Sequence, residues 1–252
     1  MCDTCGCNIT HGNEHLISSG GKLEKTESGH EAVTVLHNLL HENDHAAQHN
    51  REHFNNHGVV AINLMSSPGA GKTALLEATI KALGDEFRIA VIEGDLETEN
   101  DAERIRAHGV TAVQITTGSA CHLDAHMVHE AVHSLDLAEL DIVFIENVGN
   151  LVCPASFDLG QHANIVLLSI PEGDDKPAKY PVMFRKADMV MLSKADLLPV
   201  LDDFSPERAE KYLRNLASSA SLIHTSAKSG AGMEDWLNWL REVVENSKAQ
   251  YA

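Results

Sequence analysis

The chain has 252 residues, enough for one sizeable domain with a small appendage. Its 37 acidic residues outnumber 19 basic ones, for a formal charge of −18. That balance argues against non-specific nucleic-acid binding and suits a protein that handles small ligands or cations. No apolar run approaches a membrane span and the start lacks a signal-peptide core, so the expectation is a cytoplasmic protein without a membrane partner. Three of the five cysteines fall within residues 2–7, unlike a disulfide framework, and the 16 histidines are clustered.

In chain order, Cys2, Cys5 and Cys7 come first. Gly6 lets the chain fold back, so the three thiols can converge on one ion, with the α-amine, His11, His15 or water completing the set. Thiolates with one nitrogen suit Ni²⁺ as well as Zn²⁺. Residues 8–29 have the composition of a flexible linker, so 1–29 is expected to be a metal-binding tail. Residues 30–57 follow as a separate His-rich segment. His37, His41, His45, His49, His53 and His57 recur every four residues, one turn apart on a helix. Neighbouring pairs would each clamp Ni²⁺ or Zn²⁺ weakly, in several two-point sites. Val33, Leu36, Leu39 and Leu40 give only the front of this segment an apolar face.

The globular domain is expected over 58–252. Residues 59–65 are a buried strand, and residues 66–73 read Ser-Ser-Pro-Gly-Ala-Gly-Lys-Thr before strong helix material. Strand, glycine loop, Lys-Thr and helix are the layout of a phosphate-binding loop. The backbone of Gly69, Ala70, Gly71 and on to Ala74 would cradle phosphates, with Gly69 and Gly71 letting it approach the phosphate oxygens without a Cβ in the way. Lys72 would reach the β- and γ-phosphates, and the Thr73 hydroxyl would ligate Mg²⁺. Ser66 stands where the pattern usually has its first glycine.

Residues 87–92 predict a second strand ending on Glu93-Gly94-Asp95. An acid at a strand's carboxyl end is placed to hold Mg²⁺, and Asp95 is the candidate. Residues 99–109 predict a helix and 111–115 a strand. Cys121 and His122 then form a second candidate site for Zn²⁺ or Ni²⁺ at the mouth of a helix that carries His126, His129 and His133. Those three histidines read simply as polar residues on a helix face. Residues 141–146 are a third apolar strand closing on Glu146, the second Mg²⁺-side acid. Gly149 would let the following loop sense the γ-phosphate, and Cys153 lies close enough to couple metal binding to nucleotide state.

Residues 165–170 predict another strand, 171–181 a loop bearing Lys176 and Lys179, and 187–192 a further strand. The latter runs into Ser193-Lys194-Ala195-Asp196, which resembles the Asn-Lys-x-Asp motif of GTPases with Ser for Asn. The Asp196 carboxylate can accept two hydrogen bonds from guanine, donors that adenine lacks, while the Lys194 stem packs on the purine. Residues 222–225 lead into Ser226-Ala227-Lys228, which resembles a base-contacting loop. Helices are expected over 206–218 and 232–246, with Trp236 and Trp239 in packing roles.

Strands alternating with helices predict an α/β fold: a P-loop NTPase with a mostly parallel sheet covered by helices on both faces, with nucleotide at the strand carboxyl ends. Read from residues alone, this is a guanine-nucleotide hydrolase with two or three transition-metal sites. Residues 58–245, together with the Cys2 to Cys7 start, resemble the HypB family, the nickel-incorporation GTPases of [NiFe]-hydrogenase maturation. The resemblance implies a GTPase that converts GTP to GDP and dimerises on binding GTP. It implies work with a HypA-type metallochaperone and Ni²⁺ delivery to a hydrogenase large subunit. It also implies that Cys121, His122 and Cys153 form one Ni²⁺/Zn²⁺ site, and that Lys176 or Lys179 acts near the nucleotide and dimer interface. No water-orienting glutamine or arginine finger is evident, so slow turnover is expected. Urease-type nickel GTPases share the fold but carry a Cys-Pro-His element, whereas Cys153-Pro154 is followed here by Ala155. A metal-storage protein with a secondary nucleotide domain is the other alternative.

Overall fold

The computed structural model describes residues 30–95, 99–118 and 120–251. The expectations for Cys2, Cys5, Cys7 and the tail over 1–29, and for the side chain of His37, lie outside the described residues.

Seven strands form one sheet: β1 (Val60–Ser66), β2 (Ile89–Asp95), β3 (Thr111–Thr116), β4 (Ile142–Glu146), β5 (Ala163–Ser169), β6 (Met189–Ser193) and β7 (Ser221–His224). Their order is β3-β2-β4-β1-β5-β6-β7, and every neighbouring pair is parallel. The helices are α1 (His30–Asn56), α2 (Lys72–Leu83), α3 (Asn100–Arg106), α4 (Ala125–Val132), α5 (Lys176–Lys179), α6 (Pro181–Lys186), α7 (Pro206–Asn215) and α8 (Met233–Tyr251).

The sheet is buried on both sides because its central strands are apolar at successive positions rather than alternate ones. Val60, Ile62 and Leu64 of β1 face Leu76 and Ile80 of α2 and Trp236 of α8. Val59 and Ala61, one residue out of phase, face Phe54 of α1 and Val128 and Val132 of α4. A third apolar cluster joins β5 and β6 to α6 and α7. Trp236 also donates from Nε1 to Thr79 Oγ1 at 2.9 Å and stacks on Trp239, which accounts for both tryptophans as packing residues.

The second half of α1, within the His-rich segment, packs on the domain. Its buried residues are Asn43, Ala47, Asn50 and Phe54, at helical spacing. Asn43 donates to Asp158 O at 2.9 Å and accepts from Ala125 N at 2.9 Å. Asn50 donates to Ala125 O at 2.8 Å and to Leu159 O at 3.1 Å. Gly160 lets the chain pass close beneath: a Cβ there would lie 2.6 Å from Ala47 O. Asn43 and Asn50 alternate with Ala47 and Phe54 on the docked face, so the apolar stripe that would ordinarily show the docking is interrupted.

Candidate functional site

β1 ends at Ser66, and the chain turns through Gly69 (φ +72°) and Gly71 (φ +101°) before α2 begins at Lys72. Both glycines hold the left-handed region that a side chain would strain. Lys72 is buried, and its ammonium donates to Ser66 Oγ at 3.2 Å and sits 3.7 Å from Glu146 Oε1. The serine that departs from the usual pattern thus holds the lysine. Thr73 donates from its hydroxyl to Glu146 Oε1 at 3.0 Å.

Glu146 ends β4 directly across from Glu93 in register. Glu93, Asp101 and Glu146 each bring a carboxylate oxygen within 4.8 Å of the others. Burial, and after it the Glu146 carboxylate, pushes Glu93 up to about 10, so Glu93 holds a proton at neutral pH. Burial raises Glu146 too, against the pull of Lys72. One oxygen of each, Glu93 Oε2 and Glu146 Oε2, is buried without a hydrogen-bond partner. Two orphaned carboxylate oxygens beside a threonine hydroxyl are a donor set that fits Mg²⁺. Asp95, the acid singled out from sequence, ends β2 two residues further on and is not one of the three clustered acids. Glu93 was missed, although the two-residue period of a strand puts it on the same face as Asp95.

A cavity of about 280 Å³ opens beside the phosphate loop, lined by Ala70, Gly71, Ala74, Lys194, Asp196 and Ala227 among others, with Ser226 and Lys228 on the same wall. Two bonds lock its walls together. Ser193 donates to Ala70 O at 2.7 Å, and Lys194, itself left-handed at φ +59°, donates from Nζ to Gly69 O at 2.7 Å. Asp196 accepts from Ser226 Oγ at 2.7 Å, which aims the carboxylate across the cavity. The two sequence motifs, far apart in the chain, therefore face one another. The stretch expected as a loop over 171–181 contains the short helix α5 with Lys176 and Lys179, which packs beside α7. Lys179 pairs with Asp175 at 2.6 Å, Lys176 lies over the Tyr180 ring, and buried Asp174 pairs with Arg208.

The loop after β4 carries the second half of the site. Gly149 lies against Pro68 of the phosphate loop. Asn147 accepts from Leu123 N at 3.2 Å, and Asn150 donates to Cys121 O at 3.1 Å. Cys121, His122 and Cys153 have ligand atoms within 4.8 Å of one another. His122 is fully buried and stacked on Phe157 at 4.0 Å, and its Nε2 has no hydrogen-bond partner. Burial pushes His122 down to about 4, so the ring is neutral at pH 7, and its Nδ1 lies 3.8 Å from Cys121 Sγ. Burial, then Cys153, pushes the Cys121 thiol up to about 11. A neutral buried imidazole and two thiols match the preference of Ni²⁺ or Zn²⁺. His122 does not share a helix face with the later histidines: α4 starts at Ala125, capped by Asp124, and His122 precedes it.

A glycine loop tied to the Ser193–Lys194 turn at the carboxyl ends of a parallel sheet makes this a P-loop nucleotide-binding protein. Residues 60–224 match the CobW/HypB/UreG nucleotide-binding domain. Hydrogenase maturation factor HypB of Azotobacter vinelandii is 53% identical over 208 residues, 82% of this chain and 68% of that protein. Hydrogenase/urease maturation factor HypB of Helicobacter hepaticus is 46% identical over 239 residues, 93% of this chain and 96% of that protein. The crystal structure of HypB from Helicobacter pylori in complex with nickel superposes with a TM-score of 0.77 at 44% identity, covering 83% of this chain and 97% of that one. The chain belongs to the HypB family. Among the described residues no helix is long and apolar enough to cross a membrane.

Proposed function

We propose that this chain is a GTP-hydrolysing nickel metallochaperone for [NiFe]-hydrogenase maturation. The observation that carries the reading is the continuity of one loop. Gly149 touches Pro68 in the phosphate loop, and Cys153, four residues on, meets Cys121 and His122. A change at the phosphates therefore has a short covalent path to the metal ligands.

In this reading the backbone of Gly69 to Ala74 and Lys72 bind the GTP phosphates, and Asp196 with Ser226, Ala227 and Lys228 selects guanine. Mg²⁺, held by Thr73 and Glu146 with Glu93 or Asp95 nearby, would neutralise charge on the phosphates. Lys72 leaves Ser66 and Glu146 to meet phosphate oxygens, and Thr73 turns its hydroxyl from Glu146. Loss of those partners shifts the end of β4, and the following loop repositions Cys153. Ni²⁺, or Zn²⁺ in competition, is the cargo of Cys121, His122 and Cys153, with Cys2, Cys5 and Cys7 as a further nickel site. GTP-dependent homodimerisation, a HypA-type metallochaperone and the hydrogenase large subunit complete the delivery route. Slow turnover suits a switch.

The test is nickel release from the loaded full-length chain with GTP, a non-hydrolysable GTP analogue or GDP. Faster release with GTP than with the analogue supports coupling to hydrolysis. Equal rates in all three states sink the coupled mechanism.

A further inference from the structure

Outside the nucleotide and cysteine sites, four histidines from two helices meet at the seam of α1 and α4. The ring centroids of His49 and His53 lie 4.6 Å apart, those of His129 and His133 4.4 Å, and those of His49 and His129 5.0 Å across the seam. His53 stands 5.9 Å from both His129 and His133. Sequence periodicity assigned His49 and His53 to two-point sites along α1 and gave His129 and His133 no role. The dock of α1 on the domain brings the two pairs together.

The hydrogen bonds fix where the His129 lone pair points. Asn50 Nδ2 donates to two backbone carbonyls, so its amide orientation is set and its Oδ1 is an acceptor. His129 Nδ1 lies 3.0 Å from that Oδ1 and must carry the proton. His129 Nε2 is then the lone-pair nitrogen, and it faces His133 Nε2 at 2.9 Å. A ring whose far nitrogen is pinned by a buried amide is the usual support of a metal-ligating histidine. Burial, then neighbouring histidines, hold His53 and His129 below the ordinary histidine range, with Glu52 and Glu130 opposing only weakly. A cleft of about 190 Å³ adjoins the rings, lined by His53, His57, His133 and Asp136 among others.

We infer that His49, His53, His129 and His133 form an inter-helix binding site for a divalent first-row cation of the Ni²⁺ or Zn²⁺ kind, separate from the thiolate site at Cys121. All four ligands are imidazole, so this site takes the ion without displacing thiol protons and without thiolate charge-transfer absorption. An ion there also cross-links α1 to α4.

The test titrates Ni²⁺ alone, then Zn²⁺ alone, into the full-length nucleotide-free chain. The variants are His49→Ala/His53→Ala, His129→Ala/His133→Ala, the quadruple and the single exposed His133→Ala. Each double variant is expected to lose the same single equivalent, and the quadruple no more than either double. His133→Ala, chosen because its ring is exposed, should weaken that equivalent at least tenfold with an unchanged melting temperature in the absence of metal. In the parent chain this equivalent should fill without thiolate-to-nickel absorption. Unchanged stoichiometry in the α4 variant, or additive loss of two separate equivalents in the quadruple, overturns the shared site.

Discussion

Gly149 approaches Pro68 so closely that a Cβ on the glycine would sit 2.7 Å from the proline Cα and 2.9 Å from its nitrogen. Neither atom belongs to a flexible side-chain end, so the backbone itself must yield. Gly149→Ala is therefore expected to push the phosphate loop out of place and weaken GDP and GTP binding by about ten- to a hundredfold, the range for overpacking of about 1–3 kcal/mol. Titration with a fluorescent guanine nucleotide measures it. An unchanged affinity would show that the two loops are not mechanically joined.

Glu93 carries its proton at neutral pH because burial and Glu146 push it up to about 10. Glu93→Gln replaces a neutral acid by a neutral amide of the same shape. Denaturant unfolding of the nucleotide-free chain at pH 7 should change by less than about 1 kcal/mol. The Mg²⁺-dependent part of GTP affinity should fall, because the amide, unlike the carboxylic acid, cannot lose a proton to become an anionic ligand. Large destabilisation with intact Mg²⁺ dependence would assign Glu93 a structural role only.

Asp196 accepts a hydrogen bond from Ser226 and faces the cavity beside the phosphate loop. Asp196→Ala should cost GDP affinity about ten- to a hundredfold, the worth of one or two unmade hydrogen bonds. ADP binding should hardly move, so the ratio of the two affinities is the readout. A parallel loss of both would place Asp196 outside base recognition.

At the cysteine site, protons compete unequally for the ligands. Cys121, pushed up to about 11, is a thiol at neutral pH and releases its proton when a metal binds. Affinity should rise about tenfold per pH unit for that proton alone. His122, pushed down to about 4, is already neutral at pH 5 and adds no inflection near its ordinary 6.5. Calorimetry in buffers of different ionisation enthalpy counts the protons. The sign for stability is the reverse of a salt-bridged histidine. The unfolded ring takes up a proton below about 6.5 and the folded one only near 4, so metal-free stability falls with acidification across that window, by about 3 kcal/mol in all. His122→Asn should flatten this limb.

Much of the fold was legible because its strands are unbroken apolar runs ending in chemistry-bearing residues. The runs over 59–65 and 141–146 lie within a residue of the observed β1 and β4. The Gly-Lys-Thr and Ser-Lys-Ala-Asp motifs carried their own geometry, since each needs a strand before it. Partners decided by register were harder to see. Glu93 and Asp95 share a strand face, and only the pairing of Glu93 with Glu146 distinguishes them. The dock of α1 was illegible for another reason. Half of its buried positions are asparagines bonded to backbone groups, alternating with Ala47 and Phe54, which leaves too thin an apolar stripe to read. The meeting of His129 with His49 followed from that dock and was hidden with it.

The position of β4 between β1 and β2 has a consequence for how such a protein can diversify. The end of β4 lies beside the phosphate loop on one flank and beside the acids of β2 on the other, and the segment leaving it ends in the thiol of Cys153. In the proposed mechanism, trigger and cargo are thus opposite ends of a few consecutive residues. In that mechanism, exchanging the side chains at 121, 122 and 153 would alter which cation is carried and leave the fuel-binding apparatus intact. Lengthening the stretch between Gly149 and Cys153 would do the opposite: the same cation would be gripped, and the nucleotide would no longer govern its release.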